Sequence, residues 1–160
     1  MGASITLERR LEWPDTDAAV RWHHSTIWRY AEAAEAELHR RLGIIDQTFG
    51  FTPRRRLEAE FHAVIQFDEV VTVVLEVVAV GRTSATYALT LSVGERRVAT
   101  ATIIIVFTDD HGHPRPWTDE LVRALRDGTV AQRGSRLTDR PVSQLDSRDT
   151  GAPDTSSART

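Results

Sequence analysis

Between Leu57 and Thr108 the chain offers four strand patterns in quick succession, with only one long helix elsewhere to cover them. LEAEFHAVI (57 to 65) carries its apolar side chains at odd positions, and TSATYALTLSV (83 to 93) alternates in the same way. VVTVVLEVVAV (70 to 80) is apolar on both faces, as a central strand is, and RRVATATIIIVFT (96 to 108) closes the set. The connections around Phe67-Asp68-Glu69, Gly81 and Gly94-Glu95 are too short for crossover helices, so the sheet is expected to be antiparallel. A fifth strand pattern, SITLERRLEW (4 to 13), sets Ile5, Leu7, Leu11 and Trp13 on one face.

The helix lies in STIWRYAEAAEAELHRRLG, where Ile27, Tyr30, Ala31, Ala34, Leu38 and Leu42 form one stripe. Ser25 or Thr26 is placed to cap its start. Gly43 marks its stop, with Arg40 and Arg41 at the negative end of its dipole. One helix cannot cover both faces of five strands. The expected architecture is therefore α+β, a five-stranded antiparallel sheet curled around one long α-helix. Its outer face either stays polar or meets another subunit, and the doubly apolar strand 70 to 80 points to an oligomer. Residues 44 to 56 read as irregular, and TDELVRAL (118 to 125) as a short last helix. A folded domain over 1–128 is expected, followed by a polar, disordered C-terminal tail over 129–160, where aliphatic residues are almost absent.

Composition narrows the chemistry. The 160 residues include no cysteine, which excludes disulfides, thiolate metal sites and a cysteine nucleophile. Lysine is absent as well, so all 20 basic residues are arginine and any side-chain cation on a phosphate must be Arg. A net charge of -3 gives no general attraction to nucleic acid or an anionic membrane. No apolar run reaches about 18 residues, and MGASITLERRLEW lacks the apolar centre of a signal peptide. A cytoplasmic protein is the expectation.

The densest cluster of reactive side chains is WPDTDAAVRWHHSTIW (13 to 28). Asp15 and Asp17 have the spacing of turn residues that bind nearby N–H groups before a helix. They also stand just upstream of a helix start near His24, where unpaired N–H groups and the positive dipole end would stabilise an oxyanion. A carboxylate there can attack a thioester carbonyl or activate water. His23 and His24, as neighbours, are poorly disposed to chelate one ion, and His39, His62, His111 and His113 are scattered, so no metal is expected. Glu58, Glu60 and His62 fall on the non-core side of their strand, open to solvent or a subunit boundary. Arg54, Arg55 and Arg56, and likewise Arg82, Arg96 and Arg97, are solvated runs or contacts for a phosphorylated ligand. Trp22 and Trp28 are candidates to line an acyl or aryl pocket. No GxSxG elbow, Walker loop or dinucleotide fingerprint is present.

The stretch LEWPDTDAAVRWHHSTIWRYAEAAEAELHRRLGI resembles the opening of the hotdog-fold acyl-CoA thioesterases of the 4-hydroxybenzoyl-CoA thioesterase type. Phe67-Asp68-Glu69-Val70 and VGRTSATY (80 to 87) resemble that family's later strands. The resemblance implies a hotdog fold assembled as a homodimer or homotetramer, with active sites at subunit interfaces. It makes Asp17 the catalytic carboxylate and the backbone N–H of about His24 the oxyanion donor. Trp22, His23 and Trp28 would then contact substrate, Arg82 the coenzyme A phosphates, and Glu60 or His62 would assist. Val20 stands where many relatives carry Gly, and the Asn that often follows is missing. The implied reaction is hydrolysis of an acyl-CoA or acyl-carrier-protein thioester without a cofactor, releasing for example a polyketide, fatty or aryl chain. A hotdog hydratase or dehydratase and a non-catalytic thioester-binding protein are the alternatives.

Overall fold

A computed structural model of the chain describes residues 2–129. The tail expected over 129–160 thus lies, apart from Thr129, outside the described residues. Strand β1 (Ser4–Arg10) leads through a 3-10 turn (Trp13–Asp15) to helix α1 (Thr26–Arg41) and a short helix α2 (Ile45–Thr48). Strands β2 (Arg54–Phe61), β3 (Val70–Val80), β4 (Ser84–Val93) and β5 (Arg96–Val106) follow, then helix α3 (Asp119–Asp127). The five strands form one antiparallel sheet in the order β1-β3-β4-β5-β2.

The helical stripe is buried as expected: Ile27, Tyr30, Ala31, Ala34, Leu38 and Leu42 join Ile5, Val73, Leu75, Leu89, Leu91 and Ile103 in one core. Helix α1 lies on β1 and β3, and Gly43 ends it with φ 70°, the left-handed conformation that glycine tolerates. The single helix wrapped by an antiparallel sheet is the hotdog arrangement that the resemblance implies.

Three local expectations are corrected. Trp13 is 69% exposed, because Pro14 opens a 3-10 turn that breaks the alternation after Leu11. Its ring instead meets the Phe67 ring edge-on, centroids 6.0 Å apart. Residues 44 to 56 are more ordered than expected: they hold α2, and β2 begins at Arg54 and ends at Phe61 instead of running from 57 to 65. Leu57 and Phe61 sit in register with the buried Ile103 and Ala99, yet they are 44% and 49% exposed. The reason is topological: β2 forms the sheet edge opposite β1, and the helix reaches only its first residue, through the Glu35–Arg54 pair.

Inside the core runs a polar thread that the apolar pattern hides. Thr48 Oγ1 donates to the Ile44 carbonyl at 2.9 Å, so it accepts from His39 Nδ1 at 2.8 Å. His39 Nε2 then accepts from the Tyr87 hydroxyl at 2.9 Å. One neutral tautomer satisfies every partner. Burial, and next the positive charge of Arg54, depress the His39 pKa from its ordinary 6.5 to about 4.

Candidate active site

The segment between the 3-10 turn and α1 is a tight loop closed on itself. Thr16 bridges Trp22, the Asp17 N–H donates to the Arg21 carbonyl at 2.7 Å, and the Val20 N–H donates to the Asp17 carbonyl at 3.0 Å. Closing so few residues forces Val20 to φ 57°, an uncommon conformation for a β-branched residue. Val20, which the resemblance sets at a glycine position, thus has the backbone that glycine favours.

This loop aims one carboxylate. Asp17 is exposed, and its Oδ1 accepts the N–H groups of Ala19 at 2.8 Å and Arg21 at 3.2 Å. Those two bonds, Arg21 first, hold its pKa below the ordinary 3.8. Among the described residues nothing bonds Oδ2. The other acid of the pair does different work. Asp15 is 2% exposed and is paired with the Arg29 guanidinium on α1. It also accepts from the Tyr30 hydroxyl at 3.4 Å and the Glu12 N–H at 3.2 Å. Burial, then the Asp15 charge, raise the Tyr30 pKa well above its usual value. The Asp15 carbonyl receives the His23 N–H at 2.7 Å and the Thr26 hydroxyl at 3.0 Å. Asp15 therefore fixes how the loop enters the helix, and Asp17 projects from the loop so fixed.

The helix start is not capped in the expected way. Ser25 occupies the cap position without a side-chain cap bond; its hydroxyl meets His23 Nδ1 at 2.7 Å. Among the described residues the His24 backbone N–H has no partner. An open cleft of about 410 Å³ gathers Asp17, Trp22, His23, His24, Phe61 and His62 with Ala63 and Val64. Trp22 is 8% exposed, wedged edge-on against Phe61 with centroids 5.4 Å apart. The rings of His23 and His24 lie 4.1 Å apart, and His62 Nε2 meets Thr100 Oγ1 at 3.1 Å. Among the described residues no three His, Asp or Glu side chains converge as a metal site.

Of the residues singled out from the sequence, the cleft unites Asp17, Trp22, His23, His24 and His62. Trp28 is half-buried against the core, Glu60 projects from the outer face of β2 opposite Thr100, and Arg82 is exposed in the β3–β4 turn. None of these three lines the cleft within one chain. Sequence reasoning missed the anchoring of Asp15 and the polar thread of His39, Tyr87 and Thr48. It also missed the ion pair of the buried Glu35 with the partly buried Arg54. The available signal was Glu35 and His39, a helical i,i+4 pair standing inside the apolar stripe of Ala31, Ala34 and Leu38.

Comparison with known proteins bears on the fold. The family model of the thioesterase superfamily matches residues 21–100. No curated protein matches the sequence. Among solved structures, a predicted thioesterase from Bacillus stearothermophilus superposes with TM-score 0.72 at 22% identity, covering 79% of this chain and 97% of its own. A 1,4-dihydroxy-2-naphthoyl-CoA thioesterase from Synechocystis gives TM-score 0.66 at 18% identity, covering 76% and 94%. A thioesterase from Thermus thermophilus, solved with coenzyme A and zinc, gives 0.69 at 18%, covering 76% and 92%. These likenesses establish the fold.

Proposed function

The chain belongs to the thioesterase superfamily, and from that premise we propose that it hydrolyses an acyl thioester of coenzyme A with Asp17 as its catalytic carboxylate. The observation that carries the reading is the asymmetric hold on Asp17. Two backbone N–H groups fasten Oδ1 and leave Oδ2 free, in the same cleft as the unpartnered His24 N–H. The depressed pKa keeps the carboxylate ionised at neutral pH, and the unclaimed Oδ2 is the oxygen free to attack. Oδ2 adds to the thioester carbon, the carbonyl oxygen gains negative charge against the His24 N–H, and the C–S bond breaks. The departing thiolate takes a proton from water. A second water splits the resulting anhydride, giving the free acid and restoring Asp17. Trp22, His23 and Phe61 would hold the acyl group, with His62 beside it. Arg82 would meet the coenzyme A phosphates, and Glu60 stays outside this mechanism.

The same reading includes a homodimer formed along β2. That strand is a free sheet edge with two half-exposed apolar side chains, Leu57 and Phe61. Its sequence, RRRLEAEF, is positive in its first half and negative in its second. Antiparallel pairing with a second copy sets arginines opposite glutamates and covers the edge. Light scattering should return two or four times the 17.9 kDa chain mass; a monomer would remove this part.

The test is thiol release from aliphatic and aromatic acyl-CoAs by the wild type and Asp17→Asn. A chain without cysteine contributes no thiol background. Turnover that survives Asp17→Asn would remove Asp17 from the mechanism. Turnover seen only with acyl-carrier-protein esters would change the carrier; binding without turnover would support a non-catalytic role, and water addition to enoyl-CoA a hydratase. A single turnover in water enriched in heavy oxygen probes the step itself: label found in Asp17 requires direct attack with water entering at the Asp17 carbon, whereas water activation labels the released acid alone.

A further inference from the structure

One wall of the Asp17 cleft belongs to no helix or long strand. Residues 62–69 join β2 to β3, and Ala63 and Val64 within them line the cleft. Such a segment needs partners for its backbone outside a strand ladder. Two arginines supply them from opposite sides. Arg10 of β1 meets Asp68, which has φ 71°, through its carbonyl at 2.8 Å and its carboxylate at 3.0 Å. Arg96, the first residue of β5, holds two separate points: Nη1 donates to the Val64 carbonyl, and Nη2 meets the Glu69 carboxylate at 2.7 Å. One planar guanidinium thus spans the segment from Val64 to Glu69.

From Arg96 a line of contacts runs on to the site. The other Glu69 oxygen accepts the Gln66 N–H at 2.7 Å. Gln66 pairs with Arg21 in an isolated antiparallel bridge, beside the Trp22 N–H that donates to the Ile65 carbonyl at 3.1 Å. The Arg21 N–H donates in turn to Asp17 Oδ1 at 3.2 Å, and it is the first cause of the low Asp17 pKa. Asp15 fixes where this loop meets α1, whereas the 62–69 segment is what the loop leans on from the other side. The Arg10–Asp68 pair touches neither Gln66 nor Arg21 and stands outside the line.

We infer that Arg96 and Glu69 are positioning residues, a clamp that fastens the 62–69 segment to β5 and so holds the Asp17 loop where Oδ2 can meet the substrate. The inference rests on the Asp17 reading above and adds two residues to it that touch no substrate. The pair is 42% and 29% exposed, so its weight in overall stability is small. Its weight in rate is larger, because misplacing a reacting group by about 1 Å can cost about 10²-fold.

The first arm of the test needs no turnover. NMR titration of the carboxyl carbons follows Asp17, its signal assigned by loss in Asp17→Asn. Arg96→Ala removes a positive charge and Glu69→Ala a negative one, so charge alone would raise the Asp17 pKa in the first and lower it in the second. Loss of the clamp raises it in both, toward the ordinary 3.8, as the Arg21 N–H slackens. Arg10→Ala, which breaks the other ion pair of the same segment, should leave it in place. The second arm is turnover of a saturating acyl-CoA. Each clamp variant should lose about tenfold in kcat, and the double variant no more than either. KM should change by less than about threefold. Should either alanine variant melt well below the wild type, Arg96→Gln and Glu69→Gln take its place with the same expected directions. Shifts of opposite sign, an equal shift in Arg10→Ala, additive losses in kcat, or a loss confined to KM each overturn the clamp and leave the proposed reaction standing. A protein inert on every thioester whose Asp17 shifts as expected overturns the reaction and leaves the clamp.

Discussion

The two ends of helix α1 treat their polar side chains in opposite ways. At the start, Asp17 stands in solvent on a strained loop with one carboxylate oxygen unclaimed. Toward the end, His39 is 2% exposed and both its ring nitrogens are spoken for. Reactivity needs an unmet bond and stability needs every bond met. One helix supplies both conditions by placing them at opposite ends.

Asp17→Asn is the sharpest way to break this contrast. The amide oxygen keeps both backbone bonds, so the loop should hold while turnover falls by about 10² or more. Thermal unfolding run beside the assay should show no appreciable change; a large loss of stability would mean that Asp17 is structural after all. At the other end the effects should invert. His39→Ala removes a buried ring and strands the Tyr87 hydroxyl, at a cost of about 3 kcal/mol in denaturant unfolding. A shift below about half of that would show the thread to be decorative.

Acid should probe the same end without mutation. His39 titrates near 6.5 in the unfolded chain and near 4 in the fold. Between those values only the unfolded state takes up the proton, so stability falls as pH drops from about 6.5 to 4. The linked loss is roughly 3 kcal/mol, and His39→Ala should flatten that part of the stability profile. Asp17 runs the other way in range: its depressed pKa keeps the carboxylate ionised across the same window, so an acid limb of activity between about pH 5 and 7 would have to be assigned elsewhere. The smallest effect is reserved for Val20→Gly, which relieves a left-handed backbone and should add up to about 1 kcal/mol of stability. If activity drops in that variant, the strain helps to aim Asp17.

The fold was legible because its signals are periodic. The α1 stripe and the alternation of β4 can be read from neighbours along the chain. Asp17 was legible for a similar reason: its bonds to Ala19 and Arg21 are local, and a turn acid before a helix is a short-range pattern. The division of roles between Asp15 and Asp17 was not, because it depends on Arg29 and Tyr30, which lie beyond the loop on the helix itself. Nor was the path of β2. Its apolar alternation says which face is inward, but only the strand order says that the helix does not cover that edge beyond Arg54. The exposure of Trp13 escaped for a third reason, as Pro14 changes the local backbone and so ends the period of two.

The hydrogen-bond thread from Tyr87 through His39 and Thr48 to the Ile44 carbonyl carries a directional consequence. Every proton on it points the same way, and the last group can only accept. Reversing it would turn the Thr48 hydroxyl away from the Ile44 carbonyl and move the ring proton to Nε2, leaving that carbonyl without its side-chain donor. A single local bond at the end of α2 thus selects which nitrogen of a buried ring carries the proton.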